Sequence, residues 1–366
     1  MRFQSLPRWR RGFRRIGALL LALSTAAASA QAQPSNAAPV TPPAVRFGVL
    51  PIGGAVESRE NWVALLNAMG KAIGQPIALR SVANYQALEQ AIRDAEVDMA
   101  MLSGRMALDA VAQGHMEVLA EVTRKHGAPG HRAVLLARKA GEFSSLQALL
   151  AQPEQWRLAR GDSRSLTGYV LPQLLLFLPH RIAMETRFKS ELIDNHQNTA
   201  LAVANGNADV ATNNTTDFER FRQNFPVEAE KLHVIWQSDP TPPVQLLVRR
   251  NMAPEVQRKV QAFLTGYGKA PRTGVDAERE VLRSLRADYG YAAAGNASLL
   301  PVARLEHQLD TQRALGAQWV DAAARDARLR RIDENHARTV ALLGRGSPGA
   351  NQQAEPAASA VPTARK

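Results

Sequence analysis

Val45-Arg46-Phe47-Gly48-Val49-Leu50 and, further along, Val97-Asp98-Met99-Ala100-Met101-Leu102 are short, nearly continuous apolar runs. Such runs mark strands buried on both faces of a sheet. Between them, Trp62 to Ile73 reads as an amphipathic helix with Trp62, Leu65, Leu66 and Met69 on one face, and Pro76 to Val82 as a second strand. Tyr85 to Arg93 is again helical in pattern. Strands alternating with helices predict an open, parallel-type α/β sheet.

Working outward, the pattern repeats. Ala133 to Arg138 reads as a strand, Leu146 to Leu150 as a helix and Trp156 to Ala159 as a short strand. Helices come next at Tyr169 to Phe177 and around Thr199 to Asn205, then strands at Asp209 to Thr212, Val234 to Trp236 and Gln245 to Val248. The expectation is two α/β lobes: residues 45–137, completed by 245–299, and residues 138–244. The chain is expected to cross at about Leu136–Lys139 and to return near Val244–Arg249. Two crossings make a hinge, and a cleft between hinged lobes is a natural ligand site. Over 300–344 the character changes to one or two long helices, with Leu305, Leu309, Trp319, Ala323, Ile332 and Val340 at helical spacing. They read equally as a cap packed on the lobes or as a dimerisation arm.

The 366 residues are 45% apolar and 21% charged, contain no cysteine and carry a formal charge of +12. This excludes a disordered chain, a disulfide scaffold and any thiolate metal or Fe–S site; no metal or cofactor is expected. Six arginines (Arg2, Arg8, Arg10, Arg11, Arg14 and Arg15) crowd the first fifteen residues, and without them the charge is +6. With no dense basic stripe among aromatics, nucleic acid is not an expected partner. Residues 1–32 read as a secretory signal: a basic start, an apolar stretch from Ile16 to Ala28, and Ala28-Ser29-Ala30 and Ala30-Gln31-Ala32 as cleavage patterns. Arg10-Arg11 hints at twin-arginine export. No later segment reaches membrane length. The predicted mature chain is soluble and periplasmic, with a flexible lead-in over 33–44 and a disordered tail over 345–366.

Gly161-Asp162-Ser163-Arg164-Ser165-Leu166-Thr167-Gly168 comes after a strand and opens an apolar helix, with Pro172 read as lying in its first turn. Such a junction offers unpaired N–H groups and the positive end of the helix dipole. Ser165 and Thr167 add hydroxyls, and Gly168 permits close approach of the backbone. Together they suit a tetrahedral oxyanion, although Ser and Thr here also suit plain helix capping. A competing reading takes Gly161-Asp162-Ser163 as the nucleophile block of a GDS-type esterase, with Asp333 and His336 as partners. In that family the block succeeds the first strand, whereas here it lies mid-chain.

From Asn195-His196-Gln197-Asn198 through Asn205-Gly206, into Ala208-Asp209-Val210-Ala211-Thr212-Asn213-Asn214-Thr215 and on to Val234-Ile235-Trp236-Gln237-Ser238, the sequence closely resembles the phosphonate-binding proteins of ABC importers. Gly161-Asp162-Ser163 and Gly168-Tyr169-Val170-Leu171-Pro172 belong to the same resemblance, which spans roughly Val45 to Leu343. It implies a type II periplasmic-binding fold with a hinge, clamping a phosphonate, phosphite or related oxyanion for delivery to a membrane permease. A dimer through the terminal helices is also implied; the same fold serves equally as a sensing adaptor.

Residue by residue, the resemblance implies that Ser165 and Thr167 hold the anion at the helix start, that His196 contacts its oxygens and that Tyr85 reaches in from the first lobe. Leu166 stands where the family has a further hydroxyl, and Leu102 where close relatives have a ligand-facing tyrosine. Thr216 and Val244 stand where aminophosphonate binders place a glutamate and an aspartate. A buried ammonium without a counter-charge is costly, so aminoalkyl phosphonates are expected to bind poorly.

Overall fold

Phe47 of β1 (Val45–Val49) lies opposite Met99 of β3 (Met99–Leu102) in a parallel pair, both fully buried. The computed structural model describes residues 43–50, 55–123, 130–139, 145–269, 271 and 273–345. The signal segment, all of the lead-in before residue 43 and the tail after residue 345 lie outside the described residues.

Around β1 and β3 the first lobe adds α1 (Ala55–Ile73), β2 (Ile77–Ser81), α2 (Tyr85–Arg93), α3 (Gly104–Ala112) and β4 (Met116–Val122). The second lobe contains β5 (Arg132–Arg138), α4 (Leu146–Ala151), β6 (Arg157–Arg160), a helical run from Leu166 to His180, α5 (Met184–Arg187) and β7 (Ser190–Ile193). It continues with α6 (His196–Ala204), β8 (Val210–Asn214), α7 (Thr215–Asn224), α8 (Pro226–Glu230) and β9 (Leu232–Pro240). The chain then returns through β10 (Gln245–Arg249), α9 (Pro254–Gly266), α10 (Val275–Ser284) and β11 (Tyr291–Ala293) to the first sheet.

The sheets run β11-β4-β10-β3-β1-β2 and β7-β6-β8-β5-β9. Neither is purely parallel, which corrects the expectation from strand–helix alternation. Strands β1, β2 and β3 are parallel, as are β6, β7 and β8, but β10 lies antiparallel between β3 and β4, and β5 antiparallel between β8 and β9. Strands β5 and β10 are those that enter a lobe directly from the other one. They therefore start where the neighbouring parallel strands end.

The first crossing is also earlier than the sequence suggested. Ala133 to Ala137 pair with Val210 to Asn214, so β5 belongs wholly to the second sheet and the chain leaves the first lobe before Arg132, not at Leu136–Lys139. The return lies between β9 and β10, at residues 241–244. The two connections touch: Thr241 N–H donates to the His131 carbonyl at 2.8 Å. A Cβ on Gly130 would come within 2.2 Å of the Thr241 carbonyl oxygen, so only glycine allows this approach.

Each sheet is covered on both faces by apolar side chains. The C-terminal extension is a hairpin of α11 (Leu300–Gly316) and α12 (Ala322–Gly344). Val302 and Ala303 of α11 join the first lobe's core, while Leu305 and Leu309, one turn to two turns on, pack into the second lobe's. The extension is therefore a third tie between the lobes.

Candidate functional site

The second lobe's half of the site is built on an interrupted helix. Pro172 has no N–H and cannot bond the Gly168 carbonyl four residues back. That carbonyl instead accepts from Gly161 N–H at 3.2 Å and from the Thr212 hydroxyl at 2.8 Å, which fastens the helix to the end of β6 and the middle of β8. Residues Leu166–Val170 and Gln173–Phe177, on either side, wind with the wider π-helical spacing, a geometry that recurs at functional sites. Pro172 thus lies well inside the helical run, which starts at Leu166 and not at Tyr169.

Gly161 and Gly168 make this junction possible. A Cβ on either would stand 2.8 Å from the other's Cα. The close approach that Gly168 permits is therefore to the end of β6. Ser165 accepts the Gly168 N–H at 3.0 Å and caps the helix, as the plainer reading of that serine expected.

His196 opens α6, whose cap Asn195 accepts the Asn198 N–H at 2.9 Å. Asn213 of β8 donates to the His196 carbonyl at 2.7 Å. The imidazole Nε2 lies 3.1 Å from Thr167 Oγ1, and Asn214 donates to the same hydroxyl at 3.4 Å. In the first lobe the cap Asn84 accepts the Ala87 N–H at 2.9 Å and sets Tyr85 at the start of α2.

These parts meet around a cavity of about 160 Å³ between the lobes. The first lobe supplies Leu50, Ala83, Asn84 and Tyr85; the second supplies Gly161, Asp162, Ser165, Ile193, Asp194, Asn195 and His196. Of the residues expected from sequence, Tyr85, Ser165 and His196 are on the wall. Thr167 is one layer behind, against His196. Gly168 is behind Ser165, and Leu166 is buried against Gly104 of the first lobe, where a Cβ on that glycine would reach within 2.8 Å of it. Leu102, Thr216 and Val244 do not line this cavity. Leu102 is packed in the first lobe's core opposite Gln245, Thr216 sits in the first turn of α7, and the Val244 carbonyl accepts from Val122 N–H in the return connection.

Sequence reasoning missed Leu50, Asn84, Asp162, Ile193, Asp194 and Asn195 as wall residues. Each is a helix cap or lies at or within two residues of a strand end, so its place depends on where the lobes meet. The esterase constellation is not assembled. Ser163 is exposed beside the cavity, whereas Asp333 bonds His307 of α11 at 2.8 Å and His336 stacks on that same ring.

Burial pushes the Tyr85 phenol up to about 12, with Asp162 and Asp217 adding to it and a hydrogen bond to Ser165 opposing. Tyr85 is therefore a neutral donor that spans the cleft. Burial holds His196 below the ordinary imidazole range, against the pull of Asp217 and the Thr212 carbonyl. Further contacts join the lobes: Arg164 to Glu89 at 3.0 Å, Arg286 to Gln223 at 2.6 Å and Arg220 to the Ser284 carbonyl at 3.2 Å.

Two α/β lobes joined by two connections around a central cavity define the type II periplasmic-binding fold. Residues 47–299 match the family described as "ABC transporter, phosphonate, periplasmic substrate-binding protein". The chain belongs to this family and is the phosphonate-binding periplasmic component of an ABC transporter. The phosphonates-binding periplasmic protein of Escherichia coli (strain K12) is 29% identical over 265 residues, covering 72% of this chain and 75% of its own. The crystal structure of a binding-protein component of an ABC phosphonate transporter from Pseudomonas aeruginosa superposes with a TM-score of 0.75 at 29% identity, covering 81% of this chain and 96% of that one. PhnD1 of Prochlorococcus marinus, solved in complex with methylphosphonate, shares the fold at a TM-score of 0.62 and 14% identity, covering 73% and 98%. Among the described residues no helix is long and apolar enough to cross a membrane.

Proposed function

We propose that the protein is exported to the periplasm and traps a small phosphonate or phosphite between its lobes, with Ser165, His196 and Tyr85 as donors and Thr167 supporting His196. The lobes close about the Gly130–Thr241 contact, and the loaded form is handed to an inner-membrane permease. A homodimer through α11 and α12 fits this reading. The observation that carries it is the cavity itself: hydroxyl and imidazole donors from both lobes converge on one space, and each charge-assisted bond is worth about 1.5–3 kcal/mol. The cavity, about 160 Å³, accommodates a phosphonate with a short substituent.

The preferred substituent is uncharged. The two acids on the cavity wall are already engaged. Asp162 accepts from the backbone and side chain of Arg164, while Asp194 is exposed and accepts from Asn195 and Asn198. An exposed ion pair adds only about 0–1 kcal/mol. Titration calorimetry with methyl-, ethyl- and 2-aminoethylphosphonate tests this: ethylphosphonate should bind at least as tightly as its amino counterpart. A 2-aminoethylphosphonate affinity tenfold above ethylphosphonate would sink the preference, and no binding by any of them would sink the reading of the site.

A further inference from the structure

The cavity is poor in positive charge. None of its wall residues is a lysine or arginine, and two of them, Asp162 and Asp194, are acids. Two guanidiniums stand behind the wall and both are already paired: Arg164 is held 3.2 Å from Asp162 and 3.0 Å from Glu89, and Arg160 donates to the Gly161 carbonyl at 2.9 Å and pairs with Glu191. A phosphonate dianion entering this space meets hydroxyls, an imidazole and carboxylates, and an uncompensated buried charge is costly.

His196 is the group on the wall able to change that balance. Its Nε2 faces Thr167 Oγ1 at 3.1 Å, while Nδ1 is buried without a hydrogen bond of ordinary geometry. The groups around the ring are the Thr167 hydroxyl from the π-helical turn, the Thr212 carbonyl of β8 and Asp217 of α7. Asp194 and Asp162 share the same cavity wall, and Tyr85 closes it from the first lobe as a neutral phenol. Asp217 and the Thr212 carbonyl favour a proton on the ring and burial opposes it, leaving the imidazole neutral before a ligand arrives.

We propose that capture of a phosphonate dianion carries one proton from solvent onto His196, so that the closed complex holds an imidazolium against the anion. This rests on the oxyanion reading above and adds to it the ionic form in which the ligand is held. No bond of the ligand breaks; the proton comes from water or buffer and returns on release. As imidazolium, His196 is a donor at both nitrogens, with Nε2 already 3.1 Å from the Thr167 hydroxyl.

The test is calorimetric titration of methylphosphonate at a pH where the free ligand is a dianion, in buffers of different ionisation enthalpy. Uptake close to one proton per ligand is expected, with apparent affinity falling about tenfold per pH unit. Nitrogen NMR of the saturated protein should show His196 as imidazolium, and His196→Gln should remove the uptake. Tight binding with no proton uptake overturns the proposal. So does full uptake persisting in His196→Gln, which would place the proton on the ligand, shared with Asp162 or Asp194. If His196→Gln binds too weakly to titrate, the ring signal of the unsubstituted protein decides, and a neutral imidazole refutes it. Failure of methylphosphonate, ethylphosphonate and phosphite alike to bind is a separate result, which overturns the oxyanion reading and this proposal with it.

Discussion

The two lobes meet the cavity with corresponding parts. In the first, Arg46 donates through its backbone N–H (2.9 Å), Nε (2.8 Å) and Nη2 (2.7 Å) to Asp98, the residue before β3. In the second, Arg157 does the same to Asp209, the residue before β8, at 2.7, 3.0 and 2.7 Å. Beyond the neighbouring strand of each lobe an asparagine caps a helix and a ring-bearing residue comes next: Asn84 then Tyr85, Asn195 then His196. The lobes differ at the exit of the middle one of their three adjacent parallel strands. After β1 comes Leu50; after β6 comes Gly161, locked against Gly168 and carrying the helix start into the cavity. One architecture, used twice, thus yields an apolar wall with a phenol on one side and a set of polar donors on the other.

The largest expected effect breaks this asymmetry. Gly168→Ala places a methyl 2.8 Å from the Gly161 Cα and the Ser165 hydroxyl. Overpacking of this kind costs about 3 kcal/mol and moves Ser165, so the variant should melt lower and lose methylphosphonate binding. Unchanged affinity in a calorimetric titration would mean the glycine pair does not hold the donors in place.

A smaller effect tests the shared part. Burial, which pushes Asp98 and Asp209 up, is outweighed by the hydrogen bonds from Arg46 and Arg157, and both carboxyls lie below the usual aspartate range. Their contribution is complete above the ordinary value of 3.8 and is lost as pH falls through the depressed one. Asp98→Asn and Asp209→Asn should each cost about 2 kcal/mol at neutral pH, equally in the two lobes, in urea unfolding. Strongly unequal losses would show that the two clamps are alike in geometry only.

The smallest effect concerns the helix that ties the lobes together. Glu306 of α11 is buried near Arg105 of the first lobe, and burial raises its carboxyl to about 7, with Arg105 opposing. A raised acid favours the fold while protonated. That contribution is whole below the unfolded value of 4.5 and is lost as pH climbs through 7. Glu306→Gln should therefore stabilise the fold above pH 7 and leave it unchanged in acid, read as melting temperature against pH. A pH-independent difference would remove Glu306 as the cause.

Much of this was legible in the chain. Apolar runs such as Val45–Leu50 are read correctly because a strand covered on both faces has few polar positions to confuse it. By contrast β7, an edge strand of four exposed residues, and β4, with Glu117 and Glu121 among its apolar residues, carry no such pattern. Tyr85 and His196 could be named only through the family resemblance, whereas Ser165 was legible also from its place at a helix start, where residue types are set locally by orphan N–H groups. Leu166 and Leu102 carried no signal of their packing, since an apolar residue has the same reason to face a lobe's core as to face the other lobe.

The sequence by itself determined the strand–helix rhythm, the two-lobed plan, the capped helix starts and the family, because these depend on neighbours in the chain. Tertiary structure alone decided that Pro172 frees a carbonyl for Thr212, that β5 crosses early, that α11 binds both lobes and that Asp162 and Asp194 share a wall with His196. Those facts depend on contacts between residues far apart in sequence, and no local preference encodes a distance across the cleft.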